Sequence, residues 1–286
     1  MGFERRGFLA AGLGLLSLPT LQLFAEDGQR KYKIGACDWS IGKQQNIGAF
    51  AVAKEIGLDG IQASFGRPGD VFDLRDEQVR HDYQKAVQDT GVEIASLAMG
   101  ILNSVPFAVE DVAVEWLSQC IDVMAAMGQK IVLVAFFGKG DIRGKPELQD
   151  EVIRRLKKLA PKAERAGVIL GVESYLNADD HLRILEGVGS PAVQVYYDVA
   201  NMHYSGYDIF AELRQLGRER ICQIHLKESG HLLGKGSIDF VKIRDVLREI
   251  GYYDWLIIEG ATEKNRSVVD CYKDNCRFLR ELFATS

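Results

Sequence analysis

The 286-residue sequence predicts one α/β domain folded as a (β/α)8 barrel, and two regularities carry this prediction. The first is a series of eight short apolar runs separated by amphipathic helical stretches. The second is a glycine at the end of nearly every helical stretch, directly before the next apolar run. Eight strand–helix units with right-handed crossovers close into a barrel of the TIM type.

The apolar runs are rich in Val and Ile and mostly continuous, as expected of parallel strands that are covered on both faces. They are KIGAC (33–37), GIQAS (60–64), VEIASLA (92–98), KIVLVAFF (130–137), VILGVES (168–174), VQVYYDV (193–199), ICQIHLK (221–227) and WLIIEG (255–260).

Glycine ends a helix readily because it adopts the left-handed cap conformation without a Cβ penalty. The predicted helix-ending glycines are Gly57, Gly91, Gly128, Gly167, Gly189, Gly217 and Gly251. An open doubly wound sheet is the alternative to the barrel. Such a sheet would carry a Gly-rich phosphate loop after its first strand, and residues 35–48 (GACDWSIGKQQNIG) do not supply one.

Two helical stretches carry further expectations. Apolar residues at three- and four-residue spacing predict a buried stripe on one helix. These residues are Val112, Trp116, Cys120, Val123 and Met127. In the stretch 147–167, Pro161 is expected to kink or interrupt the helix, because proline removes a backbone donor.

Residues 1–25 are predicted to be an export signal rather than part of the fold, which leaves 32–286 for the barrel. Arg5 and Arg6 precede an apolar stretch, Phe8–Leu18, that is too short to span a bilayer comfortably. The arginine pair followed by Gly-Phe-Leu resembles a twin-arginine signal. We expect cleavage after Ala25 and a periplasmic protein without a stable membrane span; an uncleaved anchor is the alternative.

Charge and cysteine content argue against several classes of protein. The formal net charge is −5, and no dense basic block lies outside the N-terminus, which argues against a nucleic-acid partner. The five cysteines are odd in number and form no CxxC pair. Neither a zinc knuckle nor a disulfide framework is therefore indicated.

Four potential metal ligands end the last four predicted strands, at the side of a barrel where active sites lie. They are Glu173, Asp198, His225 and Glu259, spaced by 25, 27 and 34 residues, or about one strand–helix unit each. Three carboxylates cannot all stay ionised in a dry pocket without a cation. The set suits Mn²⁺ best, with Mg²⁺, Co²⁺ or Zn²⁺ as alternatives.

Each of these residues also has a purely structural interpretation. Glu173 could pair with a basic side chain, Asp198 could cap the following helix, and His225 could be a satisfied core histidine. Their position at the same end of four consecutive strands favours the metal site.

The motifs GVES, VYYDVAN, QIHLK and IIEG, together with GKGSIDF (234–240), resemble the xylose isomerase-like barrel superfamily over about residues 32–283. The sequence is most similar to the sugar phosphate isomerase/epimerase group, which includes ketose 3-epimerases, hydroxypyruvate isomerase and inosose dehydratase. The resemblance implies that Glu173 and Glu259 bind the metal and shuttle protons, while Asp198 and His225 complete the coordination. The strands that precede these end without histidine, which argues against a trinuclear zinc nuclease.

The implied activity is that of a keto-sugar or sugar-acid isomerase or epimerase acting through a metal-stabilised enediolate. A keto-glycoside lyase or hydratase, or an inosose-type dehydratase, would use the same site. A non-catalytic sugar-binding barrel is a further alternative. We expect a small-molecule carbohydrate as the partner, and a homo-oligomer because relatives are often dimers or tetramers.

Five further residues are expected to contact the substrate. Lys227 lies two residues after His225 and so points to the same side of the strand. It could hold a substrate group, or it could form a salt bridge with a ligand carboxylate. The other four are Asn201 and His203 after the sixth strand, Lys235 in the GKGSIDF segment, and Trp39, which could stack on a sugar. Glu228 is expected to orient a metal ligand.

Overall fold

The structure is a computed structural model that describes residues 1–2 and 32–284. Lys31–Ser286 form one compact unit, and this unit contains the barrel. The predicted export signal lies outside the described residues, apart from its first two positions.

Eight parallel strands form a closed barrel in sequence order, which confirms the predicted fold. Every predicted apolar run matches a strand to within one residue at each end. The strands are β1 (Lys33–Cys37), β2 (Gly60–Ser64), β3 (Glu93–Met99), β4 (Ile131–Phe136), β5 (Ile169–Ser174), β6 (Val193–Asp198), β7 (Ile221–Lys227) and β8 (Trp255–Glu259).

Nine α-helices in the described part of the chain surround the barrel. They are α1 (Ala49–Ile56), α2 (Glu77–Thr90), α3 (Asp111–Met127), α4 (Pro146–Ala166), α5 (Ala178–Val188), α6 (Val199–Tyr204), α7 (Ile209–Leu216), α8 (Phe240–Glu249) and α9 (Val268–Ala284). None of them is both long and apolar enough to cross a membrane.

The glycines predicted to end helices do so with a positive φ angle. Five of them have left-handed caps whose N–H bonds back to the last helical turn: Gly57, Gly91, Gly128, Gly167 and Gly189. Gly217 and Gly251 also have positive φ angles, of 66° and 74°. A residue with a Cβ would be strained at each of these positions.

The apolar stripe of α3 is rotated from the predicted one. Cys120, Val123 and Met127 are buried as expected, but Trp116 is only half-buried and Val112 is 38% exposed. The face against the barrel runs instead through Ala113, Leu117, Cys120, Ile121 and Met124. The i, i+3, i+4 spacing alone allows two neighbouring stripes on this apolar helix, and packing selects one of them.

Pro161 does not interrupt α4, which continues from Pro146 to Ala166. The proline ring lies on the exposed side of the helix, while Leu159, Ala160 and Ala163 are buried. A proline inside a helix costs about 3 kcal/mol, and burial of the apolar face across the whole helix offsets this cost.

Candidate metal centre and active site

The four predicted metal ligands converge at the C-terminal mouth of the barrel. Asp198 and Glu259 end β6 and β8, Glu173 is the last residue but one of β5, and His225 lies in β7. Parallel pairing places Asp198 directly beside His225. One oxygen or nitrogen atom from each of the four side chains lies within 4.8 Å of the corresponding atoms of the other three. The strand ends therefore bring four side chains, spread over 87 residues of sequence, to one point.

The two carboxylate oxygens of Asp198 have different contacts. Its Oδ1 accepts hydrogen bonds from the backbone N–H groups of Ala200 and Asn201, both at 2.8 Å, and so caps α6. Its Oδ2 is buried and has no hydrogen-bond partner among the described residues. A buried carboxylate oxygen without a partner is costly, and a cation at the centre of the cluster would remove this cost.

His225 turns its Nδ1 atom toward the three carboxylates. The distances are 2.8 Å to Glu173 Oε1, 3.7 Å to Glu259 Oε2 and 3.9 Å to Asp198 Oδ2. On the other side of the ring, Nε2 lies 2.8 Å from Gln62 Oε1. Because this amide oxygen can only accept, Nε2 carries the proton, and Nδ1 is the nitrogen available to a cation.

A buried polar network beneath the cluster fixes the orientation of Gln62. Its amide nitrogen donates to Tyr196 OH at 2.8 Å and to Ser96 Oγ at 3.0 Å. Both of these hydroxyls donate in turn to Gln223 Oε1, at 2.7 and 2.6 Å. This network was not predicted from the sequence. Its signal was present, since Gln62, Ser96 and Gln223 are polar residues in the middle of apolar strand runs.

Glu259 is held by two donors, one on each carboxylate oxygen. The indole Nε1 of Trp39 donates to Oε1 at 3.0 Å, and Lys227 Nζ donates to Oε2 at 2.9 Å. Lys227 Nζ also lies 3.8 Å from Asp198 Oδ2. Lys227 therefore forms the salt bridge with ligand carboxylates that was the structural alternative for this residue.

Burial and charge act differently on the three carboxylates. Desolvation raises the pKa of Asp198 to about 7 and also raises the pKa of Glu173. Desolvation acts in the same direction on Glu259, but the charges of His225 and Lys227 and two hydrogen bonds outweigh it and lower the pKa to about 2. Burial favours neutral His225, yet the charges of Glu173 and Glu259 raise its pKa. The three carboxylates outnumber the one permanently charged cation beside them, Lys227, as expected of a site that binds a metal ion.

Among the hydrogen bonds and ion pairs of the described residues, the side chains of the three remaining predicted site residues do not reach the four ligands. His203 Nε2 is 3.0 Å from Ser237 Oγ, Lys235 is exposed, and Asn201 takes part in the cap of α6 through its backbone N–H. Substrate contacts by these three residues stay predictions.

Glu228 has a different role from the expected one. It is fully buried, accepts a hydrogen bond from Tyr204 OH at 2.8 Å, and accepts longer bonds from the backbone N–H groups of Ser237 and Ile238. Its side chain anchors the 228–239 segment rather than orienting a metal ligand.

A cavity of about 200 Å³ opens beside the cluster. Glu173 and Glu259 form its acidic side. The rest of its lining comes from the ends of β1–β4 and the loops that follow: Trp39, Gln44, Ser64, Gly100, Asn103, Leu133, Ala135 and Phe137. A ligand in this cavity would contact both glutamates.

Comparison with known proteins identifies the family. The sequence model of the family described as "Xylose isomerase-like TIM barrel" matches residues 50–282. An L-ribulose 3-epimerase from Mesorhizobium japonicum is 29% identical over 245 residues, covering 79% of this chain and 80% of that protein. A putative L-ribulose-5-phosphate 3-epimerase from Escherichia coli K12 is 27% identical over 268 residues, covering 84% and 92%.

Solved structures show the same fold. An L-ribulose 3-epimerase structure has a TM-score of 0.75 at 23% identity, covering 89% of this chain and 95% of that one. The apo structure of a 3-keto-D-glucoside 4-epimerase from Escherichia coli has a TM-score of 0.71 at 18% identity, covering 88% and 100%. The chain therefore belongs to the xylose isomerase-like TIM barrel family and is an enzyme of the isomerase and epimerase class.

Proposed function

We propose that the protein is a divalent-metal-dependent isomerase or epimerase of keto-sugars or sugar acids, with Glu173 and Glu259 as the proton-transferring residues. The observation that carries the proposal is the convergence of Glu173, Asp198, His225 and Glu259 within 4.8 Å, beside a cavity that the two glutamates line. Two relatives, named as an L-ribulose 3-epimerase and a putative L-ribulose-5-phosphate 3-epimerase, support a sugar or sugar-phosphate substrate.

The donor set fits a divalent cation. Asp198 Oδ2, His225 Nδ1 and one oxygen of each glutamate would hold it, and the lack of a hydrogen bond to Asp198 Oδ2 among the described residues supports this assignment. Three carboxylates and one imidazole suit Mn²⁺ best, with Mg²⁺, Co²⁺ and Zn²⁺ as alternatives. When bound, the ion would act as a Lewis acid that stabilises negative charge on substrate oxygens.

The two glutamates supply the proton chemistry. They stand on β5 and β8, with β6 and β7 between them, so they approach a bound ligand from different sides. One carboxylate removes the proton from the carbon next to the substrate carbonyl, and the other returns a proton. Return to the opposite face of the same carbon gives the epimer, whereas return to the neighbouring carbon gives the isomer.

Trp39 and Lys227 position Glu259 for this role. Their hydrogen bonds to its two oxygens leave the carboxylate little freedom to rotate. A base held in one orientation needs less reorganisation when the proton moves. Both residues are therefore proposed to be positioning residues.

The test begins with elemental analysis of the purified protein, followed by incubation with ketoses in deuterated water. We expect about one divalent ion per chain and deuterium incorporation next to the carbonyl. Glu259→Gln should lower the rate of incorporation by about 10²- to 10⁴-fold, the usual contribution of a general acid or base. Glu281→Gln, an exposed position on α9, is the matched control. Unchanged exchange in Glu259→Gln would contradict the proposed mechanism.

We also propose that the twin-arginine motif directs export to the periplasm. The support is the Arg5–Arg6 pair followed by a short apolar stretch. Replacing both arginines with lysine should keep the protein in the cytoplasmic fraction of the cells that express it. Periplasmic recovery of this double variant at the wild-type level would contradict the proposal.

A further inference from the structure

The wall of the cavity opposite the metal cluster carries no charge. Apart from Glu173 and Glu259, the lining residues are uncharged, and the described residues that line the cavity include no Lys, Arg or His. An anionic substrate group placed against this wall would find no positive partner. Buried anions in proteins are paired with cations or held by several donors at once.

The positive charges at the cluster itself are already engaged. Lys227 is 25% exposed and bonds to Glu259 Oε2, with Asp198 Oδ2 at 3.8 Å. A divalent cation and this ammonium group would together balance the three carboxylates. Behind the lining, Ser64 Oγ donates to buried Asp38 at 2.7 Å, which adds a further acidic group near the cavity. Within the cluster itself, no positive charge is left over for a phosphate or a second carboxylate.

One basic residue near the rim, Arg143, is engaged with Tyr175 and Asp141. Lys139 and Arg143 follow the lining residue Phe137 in the chain but do not line the cavity. The Arg143 guanidinium lies 4.9 Å from the centre of the Tyr175 ring, and its Nη2 atom is 3.6 Å from Asp141 Oδ2.

The same wall offers what an uncharged sugar requires. Amide and hydroxyl groups of Gln44, Asn103 and Ser64 can bond to sugar hydroxyls, and the rings of Trp39 and Phe137 can cover C–H faces. Asn103 Oδ1 accepts the Phe137 N–H at 2.9 Å, so the side chain is fixed and its NH₂ group remains as a donor. The cavity has a volume of about 200 Å³, whereas pockets that hold drug-sized ligands measure roughly 300–1,000 Å³. This volume therefore favours a small ligand such as a monosaccharide.

We infer that the cavity takes an uncharged keto-monosaccharide and discriminates against the corresponding sugar phosphate or sugar acid. This inference rests on the proposed function and narrows its substrate class. Discrimination arises because an anionic group at the far end of the substrate would lose its hydration against a neutral wall, with carboxylates nearby.

The first experiment compares matched substrate pairs on the metal-loaded wild-type protein. L-Ribulose is paired with L-ribulose 5-phosphate, and D-fructose with D-fructose 6-phosphate. We expect kcat/KM for the free ketose to exceed that for its phosphate by at least about 100-fold in any pair that is turned over. A ratio below about 10, or a preference for the phosphate, would overturn the inference.

A binding measurement separates this inference from the proposed function. If no pair is turned over, the proposed activity on ketoses is wrong, and calorimetric titration with the same four compounds decides the inference. Tighter binding of the free ketoses supports it, and equal or tighter binding of the phosphates overturns it.

A matched pair of variants tests the electrostatic cause. Gln44 lines the cavity from the exposed β1–α1 loop, so its replacement threatens the fold little. Gln44→Lys adds a cation and Gln44→Met adds none, at similar side-chain length. We expect the preference for the free ketose to fall by at least about 10-fold in Gln44→Lys relative to Gln44→Met. Equal preferences in the two variants would overturn charge as the cause.

Discussion

Two buried aspartates at the barrel mouth show the difference between a carboxylate that is fully hydrogen-bonded and one proposed to bind a metal ion. Asp38 follows β1, Asp198 ends β6, and each is 1% exposed. Both oxygens of Asp38 are satisfied: Oδ1 by Ser64 Oγ, and Oδ2 by the N–H groups of Ser64 and Gln45. Asp198 uses only Oδ1 in this way and leaves Oδ2 without a hydrogen-bond partner. Burial alone therefore does not distinguish these two aspartates, whereas the oxygen without a hydrogen bond supports the proposed ligand role of Asp198.

The two halves of the barrel mouth, β5–β8 and β1–β4, also differ in the side chains that they supply. The ends of β5–β8 supply all four converging ligand atoms and the ammonium group that neutralises part of their charge. The ends of β1–β4 and their loops supply the neutral wall of the cavity. In the proposed mechanism, the first half holds the cation and transfers protons, while the second half shapes the space for a substrate.

Replacing each aspartate with asparagine gives the strongest test of this contrast. Asp198→Asn keeps an oxygen to cap α6 but loses the charged ligand atom. We expect its affinity for Mn²⁺ to fall by more than about 100-fold. Mutation of a residue that only hydrogen-bonds to a metal ligand lowers metal affinity by about 10- to 100-fold, and loss of a ligand atom should cost more. Asp38→Asn should change the affinity by less than about 3-fold. Both affinities are measured by competition with a chelator, and equal losses in the two variants would break the contrast.

The pH dependence of stability tests whether the buried Asp38 carboxyl has a raised pKa. Burial raises its pKa from 3.8 to about 6, although hydrogen bonds from Ser64 and Gln45 act in the opposite direction. Between these two values the folded state binds more protons than the unfolded state, so this group makes the protein less stable as pH rises. We expect the free energy of unfolding of the wild type, relative to Asp38→Asn, to fall by about 2 kcal/mol from pH 4 to pH 7.

Urea unfolding of both proteins across this range measures the effect, with the non-titrating asparagine as the reference. A difference that stays constant with pH, or that grows in favour of the wild type, would contradict the assignment.

A smaller effect is expected from the network that crosses the barrel to His225. Gln62→Leu removes the acceptor for Nε2–H and frees the imidazole to rotate or change tautomer. Outer partners of metal-bound histidines contribute about 10- to 100-fold to metal affinity, and we expect a loss in the lower part of this range. Ser96→Ala perturbs the same network without touching His225, so its Mn²⁺ affinity should stay within about 3-fold. If both variants lost Mn²⁺ affinity to a similar extent, the network would act only through the stability of the fold and not through the orientation of His225.

Local sequence patterns were sufficient for the strands and for most helix ends. Continuous apolar runs predict strands that are covered on both faces, and glycines after helical stretches predict helix ends. Both features depend on a few neighbouring residues. The placement of Glu173, Asp198, His225 and Glu259 at one rim followed from the barrel order, because parallel strands of a barrel all end at the same side.

Other features depend on contacts between distant parts of the chain. The stripe of α3 and the continuity of α4 through Pro161 were set by packing against the barrel. Gln62 reaches His225 across 163 residues of sequence, and Trp39 reaches Glu259 across 220. No local pattern reports such pairs, because they exist only when the barrel closes with its particular stagger.

The sequence by itself determined the eight-unit barrel and the identity of the four acidic and imidazole side chains at its mouth, since both follow from periodicity and chain order. Only the tertiary structure decided which oxygen of Asp198 lacks a hydrogen bond and which nitrogen of His225 faces the carboxylates. It also decided which neutral residues line the cavity opposite the metal cluster. These features depend on hydrogen bonds and separations of a few ångströms between strands that are far apart in the chain, and closure of the barrel sets them.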